Sequence, residues 1–90
     1  MDFEWDDAKN EANVLKHGID FADAVFIFRG PIVTWSDLRV DYGEMREIST
    51  GRMANTVIVT VVHTDRTGRR RIISARRASR RERIVYETSI

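Results

Sequence analysis

One nine-residue stretch, TVIVTVVHT at positions 56–64, constrains the fold of this chain more than any other. Its five β-branched apolar residues are Val57, Ile58, Val59, Val61 and Val62. Such residues favour extended backbone, and an edge strand with one face in water would alternate apolar and polar positions far more regularly. The stretch therefore predicts a central β-strand that helices cover on one side.

Four other segments have the composition and spacing of strands. They are Phe3–Trp5, Ile32–Trp35, Arg46–Gly51 and Arg69–Ala75. The sequence DRTG at 65–68 joins the central stretch to the last of these segments and has the residues of a hairpin turn. The sequence thus predicts a five-stranded sheet whose last two strands form a hairpin.

Two helices are predicted between the first and second strands. Asp6 is placed to cap a helix over 7–17, because its carboxylate can accept from the free amides of the first turn. Gly18 follows as the residue that ends it in a left-handed conformation. A second helix over 21–28 is apolar nearly all round, which predicts heavy burial, and Gly30-Pro31 stops it.

The C-terminal segment predicts a third helix. Ser79 and Glu82 have the spacing of a capping box, in which each side chain bonds the other residue's backbone amide. Helical periodicity places Ile84 and Val85 on a side that would face the core, with Tyr86 on the other side. The predicted order is β-α-α-β-β-β-β-α, an α+β domain with three helices packed on an antiparallel sheet.

Ninety residues with a 42% hydrophobic fraction predict a single globular domain over 1–90. The absence of cysteine excludes disulfides, thiolate metal sites and cysteine nucleophiles, and it fits a reducing cytosol. The first residues, MDFEWDD, are acidic where a signal peptide is basic, and no apolar run approaches the roughly 20 residues that span a bilayer. We expect a cytoplasmic protein without membrane contact.

The net charge of +1 hides a division along the chain. Residues 1–50 hold 5 Lys/Arg against 11 Asp/Glu, which gives −6, and residues 51–90 hold 10 against 3, which gives +7. Eight arginines fall between positions 69 and 83, and the planar guanidinium fits phosphate oxygens in pairs. This density suits a polyanion such as a nucleic acid, although a solvated face paired with the acidic half explains it about as well.

Two histidines and one tyrosine are the candidates for proton transfer. Imidazole is the usual group for this chemistry because it titrates near neutral pH. For each histidine taken alone a structural role is favoured: His17 ends a helix, where a cation is stabilised, and His63 ends a buried strand. Tyr86 is a candidate for base stacking or phenolic acid chemistry, or for packing. Neither metal-ligand spacing nor a Gly-rich phosphate loop is present, so no metal and no cofactor is predicted.

Several motifs together resemble the BrnT family of bacterial toxins. They are FEWD at 3–6, Lys9, Asn13, KHGI at 16–19, Phe21, Ala24 and RIISARRASRRERIVYE at 71–87. The resemblance covers nearly the full chain and is loose between Pro31 and Asn55. Either end motif alone would be only suggestive, whereas the two together are specific.

The resemblance implies a fold similar to the RelE-like microbial ribonucleases and a role as the toxin of a type II toxin-antitoxin pair. It implies metal-independent cleavage of RNA that inhibits translation and growth, and neutralisation by a BrnA-type antitoxin with a ribbon-helix-helix domain. A dimeric antitoxin would give a heterotetramer that binds DNA only through the antitoxin and represses its own promoter. The alternative is a non-catalytic module that binds nucleic acid or the antitoxin.

The resemblance and the residue chemistry together give a candidate site. The candidate catalytic residues are Lys16, His17, His63, Arg76 and Tyr86. The candidate RNA-binding residues are Lys9, Asn13, Arg71, Arg77 and Arg80. Metal-free cleavage needs a base for the 2′-hydroxyl, an acid for the leaving oxygen and fixed positive charge on the phosphate, and the residues alone do not assign acid and base.

Periodicity does not place the two ends of the chain beside each other. Lys9, Asn13 and Lys16 recur on one face of the first helix, and the arginines lie on the last strand and helix. Only the resemblance indicates that these surfaces converge. We expect them to form two edges of one RNA-binding cleft, with His17 and Arg76 within reach of one substrate.

Overall fold

The computed structural model describes residues 1–38 and 43–90 of the chain. These residues contain five strands and three α-helices. The strands are β1 (Asp2–Glu4), β2 (Ile32–Ser36), β3 (Glu47–Ala54), β4 (Val57–Arg66) and β5 (Arg69–Arg77). The α-helices are α1 (Asp7–His17), α2 (Phe21–Ala24) and α3 (Arg80–Ser89), and a 3₁₀ helix (Val25–Arg29) follows α2 directly. The strands form one sheet in the order β1-β5-β4-β3-β2. The predicted α+β class is confirmed, and β4 lies at the centre of the sheet as its apolar run predicts.

The sheet is antiparallel except at one edge. From β2 to β5 each neighbouring pair is antiparallel, but β1 runs parallel to β5, with Asp2 opposite Arg69 and Glu4 opposite Arg71. The prediction of a wholly antiparallel sheet is therefore wrong for β1. No hairpin connects β1 to β5, because the N-terminal helices and three strands lie between them in the sequence. Local turn signals therefore do not determine the direction in which β1 pairs.

The hairpin between β4 and β5 follows the sequence closely. Thr67 and Gly68 form its two-residue turn, with φ angles of 47° and 79°. Positive φ at both central residues is typical of the turn whose twist matches that of paired strands. The predicted turn at 65–68 is confirmed.

Helices cover both faces of the central strand. Val59 and Val61 point to the side of α2 and the 3₁₀ helix, where the main core lies. Thr60, on the opposite face of β4, donates a hydrogen bond of 3.0 Å to Glu82 of α3. The core residues on the first side are Ile19, Phe21, Ala24, Ile27, Val59, Val61, Ile72 and Ala75. The expectation of helices on one side only is therefore wrong. Because both faces are covered, β4 is buried at every position from 58 to 64.

The C-terminal helix faces the sheet with the side opposite to the predicted one. Tyr86 is only 2% exposed, whereas Ile84 is 54% and Val85 43% exposed. Glu82 is one turn before Tyr86 on the same side of α3, and its carboxylate is bonded to the sheet, so this side turns inward. The Tyr86 hydroxyl donates 3.0 Å to the carbonyl of Pro31. The apolar periodicity was misleading because polar bonds, rather than the aliphatic pair, fix the orientation of this helix.

The first helix also turns a polar residue inward. Asn13 is its buried residue, whereas the apolar side chain of Leu15 is 89% exposed. After α2 the chain tightens into the 3₁₀ helix, whose turn of three residues changes the angular spacing of side chains. Phe26 is 42% exposed as a result, with the guanidinium of Arg29 at 4.5 Å from its ring centre. The predicted heavy burial of the second helix is therefore wrong at Phe26.

Candidate functional site

A single asparagine fixes α1 against the edge of β5. The Asn13 amide nitrogen donates to the carbonyls of Ala75, at 2.8 Å, and Ile19, at 2.9 Å, and its oxygen accepts from the amide of Ala75 at 3.1 Å. These bonds pair the edge of β5 beyond the point where β1 ends at Glu4. Asn13 is a candidate RNA contact, but its amide group is already hydrogen-bonded within the protein. In the structure this side chain therefore positions α1.

A groove of about 220 Å³ lies between α1 and β5. The residues that line it are Lys9, Ala12, Asn13, Lys16 and His17 from α1, with Ile73 and Ser74 from β5. Lys16 and His17 occupy the last turn of α1, which ends at Gly18 with φ of 72°. At this groove, three basic side chains from the N-terminal half of the chain therefore lie beside the middle of β5, the arginine-rich strand.

A β-bulge shapes the β5 wall of this groove. His63 is paired with Ile72 and Val62 with Ser74, so Ile73 is an extra residue without a partner on β4. Bulges alter the direction of nearby side chains and are common beside active sites. Ile73 and Ser74 are not among the residues predicted from the sequence, although two consecutive isoleucines interrupt strand alternation and indicate an irregularity.

The candidate catalytic arginine is bound to α3. Arg76 donates to both carboxylate oxygens of Glu82, at 2.7 and 2.9 Å. Glu82 also accepts from Thr60 and from the backbone amide of Ser79, at 2.8 Å, which completes the predicted capping box. The Arg76 hydrogen bond is the main cause that lowers the pKa of Glu82 to about 2. Arg76 follows Ala75 on β5 and so projects from the opposite face of the sheet, and it is not among the residues that line the groove.

The candidate catalytic histidine of β4 lies inside the protein. His63 is 1% exposed, and its Nε2 is hydrogen-bonded to the Ser49 hydroxyl at 2.7 Å, which is bonded in turn to that of Thr34 at 2.8 Å. The ring of Phe28 meets it edge-on at 5.1 Å. Burial first, and then the positive charge of Arg70, lower the pKa of His63 to about 4. A neutral, covered imidazole contributes to packing in this conformation and does not reach the surface.

This buried histidine predicts a specific loss of stability in mild acid. In the unfolded chain His63 takes up a proton near its usual pKa of 6.5, whereas the folded protein holds it neutral down to about pH 4. The unfolded state therefore binds more protons between these values, and the free energy of unfolding falls by about 3 kcal/mol as the pH is lowered through them. Urea denaturation at pH 7, 5.5 and 4 measures it. A His63→Gln variant should lack this component, and an equal fall in that variant would contradict the assignment.

The remaining candidate residues lie at other places. Tyr86 is in the core, and Arg71 donates to Glu4 of β1 at 2.8 Å. Arg77 lines a separate hollow of about 270 Å³ at the far end of β5, and Arg80 is exposed at the start of α3. Of the ten candidates, the groove therefore gathers four: Lys9, Asn13, Lys16 and His17.

Two further findings concern ligands and membranes. Among residues 1–38 and 43–90, no group of three or more His, Asp or Glu side chains is arranged to hold a metal ion. Within the same ranges, no helix has the length and apolar character needed to span a membrane.

The comparisons with known proteins identify the family. A family model described as the ribonuclease toxin, BrnT, of type II toxin-antitoxin systems matches residues 5–82, which is most of the chain. The chain belongs to the BrnT family. Its membership means that RNA is the substrate class and that an antitoxin is the partner. The matched range includes Lys16, His17, His63 and Arg76 and ends before Tyr86.

A solved BrnT structure has the same fold. The crystal structure of the Brucella abortus ribonuclease toxin, BrnT, superimposes with a TM-score of 0.67 at 28% sequence identity. The similarity covers 89% of this chain and 99% of that one. The search of curated proteins found no match. The five-stranded sheet with three helices is therefore a BrnT fold.

Proposed function

We propose that this BrnT protein cleaves RNA without a metal ion, in the groove between α1 and β5. The observation that carries the proposal is the position of Lys9, Lys16 and His17 opposite Ile73 and Ser74, at the bulge in β5. It is the place where a proton-transfer group and two exposed cations border one concave surface. A phosphate in this groove would meet fixed positive charge, which stabilises the charge that develops during cleavage.

The proposed reaction is an intramolecular phosphoryl transfer. The 2′-hydroxyl loses its proton and attacks the adjacent phosphorus, and the bond to the 5′-oxygen breaks as that oxygen gains a proton. The products are a 2′,3′-cyclic phosphate and a 5′-hydroxyl. His17 serves as one of the two proton-transfer groups, and Lys16 and Lys9 hold the phosphate.

Three of the other candidate residues, Arg76, Tyr86 and His63, support the fold around this site. The Arg76–Glu82 pair fixes α3 on the sheet, and Tyr86 and His63 fill the two sides of the core. Arg77 and Arg80 would contact phosphates outside the reacting nucleotide, since exposed arginines bind RNA backbone without reading its sequence.

The alternative, a non-catalytic binding module, is favoured by one observation. Three of the five candidate catalytic side chains are held within the protein, two by burial and one by an ion pair. A module of this kind would bind RNA with a strong dependence on salt and would leave it intact.

The partner proposal rests on the family. We propose a BrnA-type antitoxin with a ribbon-helix-helix domain, and a heterotetrameric complex in the cytoplasm that represses its promoter. We also propose that the fold is similar to that of the RelE-like microbial ribonucleases. Co-expression with the adjacent reading frame and measurement of the mass of the complex test this assembly. A complex of one toxin and one antitoxin would contradict it.

The test of the function uses purified, antitoxin-free protein with single-stranded RNA in excess EDTA. We expect cleavage whose products carry 2′,3′-cyclic phosphate and 5′-hydroxyl ends, as read by mass spectrometry. RNA that stays intact while bound would support the alternative module, and cleavage that EDTA abolishes would contradict the metal-free reaction.

A further inference from the structure

A second concavity, larger than the groove, lies at the start of β5, whereas the groove borders the middle of that strand. Its volume is about 350 Å³, and it opens between β1, the 3₁₀ helix and the start of β5. Four apolar side chains and two arginines form most of its wall: Phe3, Val25, Phe28, Ile32, Arg29 and Arg70. Small-molecule sites in proteins start at roughly 300 Å³, so this pocket has the size for one small group rather than for a peptide.

Two aromatic rings line the pocket and pack against each other. Phe3 and Phe28 stack with ring centres 5.5 Å apart and an angle of 26° between their planes. Phe28 is fixed further by the edge-on contact with buried His63. Both phenylalanine rings are half-buried. The guanidinium of Arg70 lies over the Phe28 ring, which leaves Phe3 as the ring on which a flat ligand can pack.

The two arginines at the pocket differ in how their charge is balanced. Arg70 lies over the Phe28 ring at 4.8 Å and is paired with Asp65 at 2.9 Å, so its charge is largely balanced. Arg29 rests on the Phe26 ring at 4.5 Å, and none of the carboxylates in the described ranges pairs with it. The pocket therefore combines aromatic side chains with an arginine, Arg29, that no carboxylate of residues 1–38 and 43–90 balances.

A planar aromatic group attached to an anion satisfies both features, and a nucleotide is such a group. Proteins that bind single-stranded nucleic acid use the same pair of devices, aromatic rings for bases and cations for phosphates. Arg70 precedes Ser74 of the groove by four positions on β5, which is roughly 13 Å along a strand. A short extended segment of RNA would span this distance.

We propose that this pocket is a nucleobase-binding subsite, in which one unpaired base of the RNA packs on the Phe3 ring and its phosphate binds Arg29. The inference deepens the proposed ribonuclease function, on which it rests for the identity of the ligand. Because stacking tolerates every base, the subsite selects unpaired over paired RNA and has little sequence preference.

Binding to a 2′-O-methyl RNA oligonucleotide tests the subsite, because the methyl group blocks the attacking hydroxyl and cleavage does not interfere. Phe3→Leu removes the ring and keeps the apolar volume, and we expect about tenfold weaker binding. Arg29→Gln should weaken binding by a similar factor and make it less dependent on salt. With an abasic oligonucleotide, Phe3→Leu should no longer weaken binding, whereas Arg29→Gln should still weaken it.

Arg69→Gln is the matched control, since this exposed arginine is adjacent to Arg70 on β5 but lies outside the pocket. Circular dichroism checks that each variant is folded. If Phe3→Leu and Arg29→Gln bind the oligonucleotide as tightly as Arg69→Gln does, the subsite is wrong even where the wild-type protein cleaves RNA. A wild-type protein that binds RNA without cleaving it, with both variants weakened, would instead overturn the ribonuclease proposal and support the subsite.

Discussion

His17→Ala lowers the rate of RNA cleavage by about 10²- to 10⁴-fold, which is the contribution of one positioned proton-transfer group. The side chain lies at the end of α1 and borders the groove, and it makes no hydrogen bond to any residue of 1–38 and 43–90. We therefore expect the variant to unfold at the same urea concentration as the wild type and to bind RNA with similar affinity. Single-turnover cleavage of a labelled RNA measures the rate.

Leu15→Ala is the matched control for His17→Ala. Leu15 is on the same turn of α1, is 89% exposed and does not line the groove. The control should cleave RNA at the wild-type rate. A His17→Ala protein that cleaves as fast as this control would exclude His17 from the reaction.

Tyr86→Ala lowers the free energy of unfolding by about 3–5 kcal/mol, the usual cost of removing a large aromatic side chain from a core. Tyr86 is 2% exposed and joins α3 to the chain segment before β2 through the carbonyl of Pro31. Small domains are stable by only about 5–15 kcal/mol, so a large part of the stability is lost. Urea denaturation measures the change, and Val85→Ala, at a 43% exposed position of the same helix, should cost much less.

Tyr86→Phe separates the packing role from a chemical one. It removes only the hydrogen bond to Pro31, so we expect a loss of about 1 kcal/mol and an unchanged rate of cleavage. A Tyr86→Phe protein that is folded but no longer cleaves RNA would show that the phenol takes part in the reaction, which is the role that the family resemblance implies.

The sequence was sufficient for features that depend on neighbouring residues. The apolar run of β4 predicts its central place, Thr67-Gly68 predicts the hairpin, and Ser79 with Glu82 predicts the start of α3. Each signal lies within a few residues, where backbone preference and capping bonds act directly. The parallel pairing of β1 had no such local signal.

The site was harder to predict because its main contacts join distant parts of the chain. Asn13 bonds Ala75 across 62 positions, and this contact holds α1 beside the bulge in β5. Periodicity grouped Asn13 with Lys9 and Lys16 correctly but gave no means to tell the buried amide from the exposed cations. Likewise, the charge pattern found Arg76 without revealing that Glu82 neutralises it.

Nuclear magnetic resonance of the labelled protein with a 2′-O-methyl RNA oligonucleotide tests the central claim, that RNA occupies the groove between α1 and β5. We predict that the largest changes in amide signals fall on Lys16, His17 and Ser74, and that a Lys9→Gln, Lys16→Gln variant loses them. Changes confined to the exposed side of α3, with the groove signals unmoved, would contradict the account.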